Sequence, residues 1–150
     1  MIENWNNQTV LVTGAAGFIG SRLVEKLTLQ GAHVRAFVRY TSRAEIGLLK
    51  RLPSEIIEKI EIIRGDLRDN SAVDQAAKSV DTVFHLGALI SIPYSYVHPV
   101  ETMQTNVIGT MNILEACRKN GSKLVHTSTS EVYGTALRVP IDEDHPLQGQ

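Results

Sequence analysis

Gly14, Gly17 and Gly20 stand three residues apart directly after the apolar run Val10-Leu11-Val12. A strand that enters such a turn and leaves it as a helix offers backbone N–H groups and a positive dipole end to an anion. Gly14 would make the tight turn, Gly17 would let the backbone approach a pyrophosphate, and Gly20 would let the helix pack close to the sheet. The bland alternative is an ordinary glycine-rich turn, since such a pattern alone is weak evidence. A second chemical group, Thr129-Ser130-Glu131, lies far down the chain. If that stretch stays extended, Thr129 and Glu131 share one face and Ser130 takes the other. A hydroxyl beside a carboxylate is an acid/base pair. The same residues could equally cap or turn the chain, with Glu131 opening a surface loop.

These groups need elements to position them. Apolar strand-like runs alternate with helical patterns, which predicts a parallel sheet with crossover helices. Strands are expected at Thr9–Thr13, Val34–Val38, Ile60–Arg64, Thr82–His85 and Lys123–Thr127. Helices are expected over Gly17–Gln30, Ser42–Arg51, Ser71–Lys78 and Val100–Asn120, with Leu89–Pro99 as a loop because it holds two prolines. In the last helix Met103, Val107, Met111, Leu114 and Cys117 recur at steps of three and four and form one apolar stripe. Burial of that stripe within its own domain is the more frequent use, and an association surface is the other. Right-handed crossovers then give an α/β fold, a Rossmann-like doubly wound parallel sheet of order 3-2-1-4-5.

Ligands of such sheets sit beyond the carboxyl ends of the strands, where the order reverses. The second strand delivers Arg39 there, with no acid between Val34 and Ala44. Cations suit a ribose 2′-phosphate and an acid suits a free 2′-hydroxyl, so NADP is favoured over NAD, unless Arg39 and Arg43 are simply solvated. The third strand delivers Asp66 and Leu67; Asp66 could accept from the adenine amino group or could cap a turn. The fourth delivers His85, Leu86, Gly87 and Ala88, whose small residues would let the backbone lie against ribose and pyrophosphate, with His85 packed in the strand.

Composition narrows the class. Of the 150 residues, 43% are hydrophobic and 21% charged, with a net charge of −1, so there is a core but no basic footprint for nucleic acid. The single cysteine, Cys117, excludes an internal disulfide framework. No stretch approaches a membrane span, the first residues lack a basic patch followed by an apolar run, and no histidine spacing suits a metal. A cytoplasmic protein is expected.

Five motifs carry a resemblance that spans nearly the whole chain. They are Thr13-Gly14-Ala15-Ala16-Gly17-Phe18-Ile19-Gly20, Gly65-Asp66-Leu67, His85-Leu86-Gly87-Ala88, Asn106-Val107-Ile108-Gly109-Thr110 and Ser128-Thr129-Ser130-Glu131-Val132-Tyr133-Gly134. Together they resemble the nucleotide-sugar branch of the extended short-chain dehydrogenase/reductases. The stretches 89–96 and 139–150 are further similar to sugar-nucleotide 4,6-dehydratases of legionaminic-acid biosynthesis. The resemblance implies a cofactor set of Gly14, Gly17, Phe18, Ile19, Gly20, Arg39, Asp66, Leu67, Leu86, Gly87 and Ala88. It implies Ser91 and Tyr94 at the sugar, and a homodimer through the long helices.

The resemblance also implies a mechanism. A tyrosine takes the proton of the sugar 4-hydroxyl while C4 yields hydride to the nicotinamide, and Thr129 holds the same oxygen. Glu131 then removes the acidified C5 proton and expels the 6-hydroxyl, with Ser130 standing where dTDP-glucose enzymes carry an aspartate. Partial burial beside the cofactor would suit Glu131 to this task. The Thr-Ser-Glu order is shared with GDP-mannose 4,6-dehydratases and with UDP-glucuronate decarboxylases. The family's Tyr-x-x-x-Lys pair is missing, because Leu137 stands four residues after Tyr133. The expectation is therefore a chain ending before that pair and without the substrate-binding half. A decarboxylase or 4-epimerase of the same fold is the nearest enzymatic alternative, although no cation for a substrate carboxylate occurs in Leu89–Tyr96. A non-catalytic dinucleotide-binding module is the alternative of another class.

Overall fold

The computed structural model describes residues 5–148; the first four residues and the final Gly-Gln pair of the 139–150 stretch lie outside it. Five parallel strands form one sheet in the order β3-β2-β1-β4-β5. They are β1 (Thr9–Thr13), β2 (His33–Arg39), β3 (Glu61–Gly65), β4 (Thr82–His85) and β5 (Lys123–His126). The side-chain period of two sends alternate residues to opposite faces. Val10, Val12, Val34, Ala36 and Val38 form one core with Val24 and Leu27 of α1 (Phe18–Leu29). Leu11, Phe37 and Val83 form the other. They pack there with Val73 and Ala76 of α3 (Asn70–Ala77) and with Ile113 and Ala116 of α6 (Gly109–Asn120). The result is the Rossmann-like three-layer arrangement, with the order reversal between β1 and β4.

Three expectations need correction. The helix over Ser42–Arg51 is reduced to a 3-10 turn at Gly47–Arg51, followed after Pro53 by the short α2 (Ser54–Ile57). The reason is that Ala44 and Gly47 both take positive φ, +51° and +57°, which a right-handed helix excludes. The Gly47 kink lets the Leu48 N–H donate to the Ala16 carbonyl at 2.9 Å, tying this segment to the glycine turn. The stretch Leu89–Pro99 is not all loop, since α4 (Ile92–Val97) lies inside it. Both of its prolines occupy first-turn positions, Pro93 in α4 and Pro99 in α5 (Pro99–Met103), where a missing N–H costs nothing.

The third concerns the long helix. It runs from α5 through a π-type turn, Gln104–Ile108, into α6, and its core face is Gly109, Ile113, Ala116 and Cys117. Met103, Val107, Met111 and Leu114 are exposed, and only Cys117 of the expected stripe is buried. Close approach fixes which face is buried: a Cβ on Gly109 would lie 2.9 Å from Leu67 Cβ, so the helix meets the β3 loop at the one position of that face without a side chain.

Candidate functional site

The strand ends open into a cleft of about 550 Å³. Its wall contains Gly14, Gly17, Phe18, Ile19 and Gly20 from the glycine turn, and Arg39, Asp66 and Leu67 from the ends of β2 and β3. Leu86, Gly87 and Ala88 come from beyond β4, so each residue expected at the dinucleotide lies on this one surface. Ala16, Leu89, Ile90, Thr105 and Thr127 join them. Two features make the floor a seat for an anionic, close-lying ligand. The α1 N-cap is Gly17, which has no capping side chain, and the first turn carries no acid, so its N–H groups and dipole are left to the cleft. Gly14 (φ +68°) and Gly20 keep the backbone bare: a Cβ on Gly20 would stand 2.2 Å from the Gly14 carbonyl oxygen.

Beneath the cleft a directional chain of hydrogen bonds fixes β1, β4 and α6. Thr13 Oγ1 accepts from the Gly87 and Leu86 N–H groups at 3.0 and 3.2 Å. Its own proton is therefore free to donate to His85 Nδ1 at 2.7 Å. That assigns the ring proton to Nε2, which donates to Thr110 Oγ1 at 3.0 Å, and Thr110 donates to the Asn106 carbonyl at 2.7 Å. Asn106 also clamps Leu89 with its side chain, accepting from the N–H at 2.8 Å and donating to the carbonyl at 2.9 Å. Only a neutral His85 completes this chain. Burial first, and then the stacked His126 ring 5.5 Å away, push its pKa down to about 4.

A depressed histidine pKa means that the unfolded chain binds the proton more readily than the folded one. Stability is then complete above the ordinary pKa of 6.5 and is lost as pH falls towards 4. The loss across that window is expected to be about 3 kcal/mol. Denaturant midpoints measured from pH 7.5 to 4 should show it, and a His85→Gln variant should lack that slope. An equal slope in the variant would assign the loss to other groups.

At the outer end of the cleft, four charged groups form one network. Arg39 Nη2 donates to Glu101 Oε1 at 2.9 Å, and Arg68 Nη1 approaches the same oxygen at 3.5 Å. Arg68 also donates twice to Asp66, Nε to Oδ1 at 2.9 Å and Nη2 to Oδ2 at 2.6 Å. Asp66 Oδ1 also accepts from the Arg68 N–H at 2.9 Å, so the turn-capping reading of Asp66 is realised while the residue lines the cleft. The Arg68 side-chain bond holds the Asp66 carboxyl below the usual carboxylate range. The Tyr94 hydroxyl donates to Glu101 Oε2 at 2.5 Å and, ahead of Arg39, holds Glu101 below that range as well.

Ser91, Tyr94, Thr129, Ser130 and Glu131 are not in the cleft wall. Ser91 Oγ caps α4 by accepting from the Tyr94 N–H. Of the two readings open for the Thr-Ser-Glu stretch, extended or capping, the structure realises the capping one: Thr129 is extended, but Ser130–Tyr133 form a 3-10 turn. Thr129 Oγ1 caps that turn by accepting from the Glu131 N–H at 3.3 Å, so a strand's alternation does not set these side chains. Glu131 is exposed, which corrects the expected partial burial. Thr127, two residues before Thr129, does reach the cleft.

Sequence reasoning passed over Thr13, Thr110, Asn106, Arg68 and Glu101. The Asn106 to Thr110 motif was a signal for two of them, because a polar pair in an apolar helix needs partners. Nothing local pointed to Glu101. Among the described residues no group of three His, Cys, Asp or Glu side chains is placed to hold a metal ion, and no helix is long and apolar enough to cross a membrane.

Fold and cleft together define a Rossmann-like domain of the extended short-chain dehydrogenase/reductase type. Residues 11–150 match the family described as GDP-mannose 4,6 dehydratase, and the chain belongs to that family of NAD-dependent sugar-nucleotide dehydratases, decarboxylases and epimerases. It is 37% identical over 142 residues to UDP-glucuronic acid decarboxylase 6 of Arabidopsis thaliana, covering 93% of this chain and 39% of that relative. Among solved structures, UDP-N-acetylglucosamine 4-epimerase from Methanobrevibacter ruminantium M1, in complex with UDP-N-acetylmuramic acid, matches with a TM-score of 0.81. That match is 32% identical and covers 96% of this chain and 45% of the other. UDP-glucose 4-epimerase from Bifidobacterium longum, in complex with NAD+ and UDP, has the same TM-score at 30% identity, covering 95% and 43%. The chain thus spans less than half the length of these relatives.

Proposed function

We propose that residues 1–150 are the cofactor-binding domain of an NAD(P)-dependent nucleotide-sugar 4,6-dehydratase, acting on an N-acetylglucosamine nucleotide to give a 4-keto-6-deoxy product. The observation that carries this reading is the uncapped α1 N-terminus, with Gly14 and Gly20 beneath it, facing a cleft that Thr127 joins two residues before Thr129-Ser130-Glu131. The bare glycine cradle fits a pyrophosphate, and Gly87 and Ala88 fit a ribose lying close. When bound, NAD(P) supplies a hydride acceptor that returns what it takes. Thr129 holds the sugar's 4-oxygen, Glu131 takes the C5 proton and delivers one to the departing 6-hydroxyl, and Ser130 supports that transfer. Ser91 and Tyr94 stand on the sugar side. Arg39 in the cleft wall is the ground for expecting NADP, and its ion pair with Glu101 counts against that expectation.

The test is to incubate the full-length protein with UDP- and GDP-linked candidates and to identify the product by mass and NMR. Loss of water with a 4-keto-6-deoxy sugar is the expected result. Loss of carbon dioxide from a uronic acid would establish instead the decarboxylase that the 37% identity to a UDP-glucuronic acid decarboxylase favours. The exposed Met103, Val107, Met111 and Leu114 support a homodimer, since a stripe of this kind is unusual on a free surface. Light scattering should give twice the chain mass, and Met111→Glu with Leu114→Glu should return it to one.

A further inference from the structure

Arg39 is the last residue of β2 and lines the cleft, the position from which an α/β dinucleotide site reads the adenosine 2′ substituent. Taken alone, its guanidinium would welcome a 2′-phosphate. It is not alone, because Glu101, 62 residues away on α5, accepts from Nη2 at 2.9 Å. Glu101 is held in turn by the Tyr94 hydroxyl at 2.5 Å and by Arg68 at 3.5 Å, so it is not a side chain free to swing away. Nor does Arg68 offer a spare cation, because its Nε and Nη2 are committed to Asp66. This end of the cleft therefore carries two guanidinium groups matched by two carboxylates.

Resting on the dinucleotide reading above, we propose that Glu101 is a selectivity residue of this cleft: by occupying Arg39 it disfavours a 2′-phosphorylated dinucleotide and leaves NAD the preferred ligand. The physical reason is charge. A phosphate of nearly two negative charges must take Arg39 from a carboxylate that remains beside it, whereas a 2′-hydroxyl accepts from Arg39 or donates to Glu101 without conflict. Cofactor choice then depends on a helix after β4 as well as on the end of β2.

The test is calorimetric titration of NAD+ and NADP+ into the full-length protein and its variants, which reads affinity without any turnover. Wild type should bind NAD+ more tightly. Glu101→Gln keeps the side chain's size and removes its charge, and it should tighten NADP+ by about five- to tenfold while leaving NAD+ within about twofold. Adding Arg39→Gln to that variant should abolish the gain, which shows that the effect runs through Arg39. An unchanged NADP+ to NAD+ ratio in Glu101→Gln, or a gain that survives loss of Arg39, would overturn the proposal. If neither dinucleotide binds wild type or variant, the dinucleotide reading itself falls and takes the proposal with it.

Discussion

Alanine at Gly20 is expected to destabilise the chain by about 4 kcal/mol or more and to remove measurable dinucleotide binding. The added Cβ would sit 2.2 Å from the Gly14 carbonyl oxygen, 2.8 Å from its carbon and 2.9 Å from Ala15 Cα. All three are backbone atoms, so no side chain can rotate aside, and α1 must lift away from the turn that aims it. A useful contrast is Gly121, the left-handed C-cap of α6, where a Cβ meets nothing within 4 Å. Gly121→Ala carries only the conformational cost of φ +68°, about 1 kcal/mol. Urea midpoints of the two variants, with NAD+ titrations, separate steric closeness from backbone freedom. A Gly20→Ala protein within about 1 kcal/mol of wild type would show that helix and turn are not locked together.

The second large effect is on chemistry. Glu131→Gln in the full-length protein is expected to lower formation of the 4-keto-6-deoxy sugar by about 10²- to 10⁴-fold, the usual size of a lost general acid/base. Dinucleotide affinity should be unchanged, since Glu131 is exposed and outside the cleft wall. Thr129 needs a gentler probe, because its hydroxyl also caps the 3-10 turn that carries Glu131. Thr129→Ser keeps both hydroxyl roles and should stay active, whereas Thr129→Val loses the cap, at about 1 kcal/mol, together with the sugar contact. Undiminished product from Glu131→Gln would remove the residue from the mechanism.

Both tests depend on how the turn and the strand ends are held. Thr13, buried at the end of β1, orients His85 and the two amides that open the β4 loop. Asn106 and Thr110 brace the same loop from the long helix, around its π-type turn. The cleft is thus supported by polar residues that the sequence showed only as members of motifs, with no bracing role read for them. Thr13 and His85 are buried and Asn106 and Thr110 half-buried, so their value comes from being paired with one another.

Chain order and side-chain alternation were legible without a structure. Val10 to Val12, Val34 to Val38 and Thr82 to His85 are apolar runs at crossover spacing, and handedness alone then yields the strand order. The glycine turn was legible because its meaning is local, in a backbone that must bend and lie close to its neighbours. Tertiary structure decided what local pattern cannot. Of two possible faces on the long helix, packing buried Gly109, Ile113 and Ala116 and left Met103, Val107, Met111 and Leu114 exposed, because at Gly109 the approach to Leu67 leaves no room for a Cβ. It chose between the two readings open for Thr129 to Glu131, extended or capping, by making Thr129 the cap of a 3-10 turn over Ser130–Tyr133. It also brought Glu101 to Arg39 across 62 residues, a pairing of charges that depends on the fold and has no trace in the spacing of either residue.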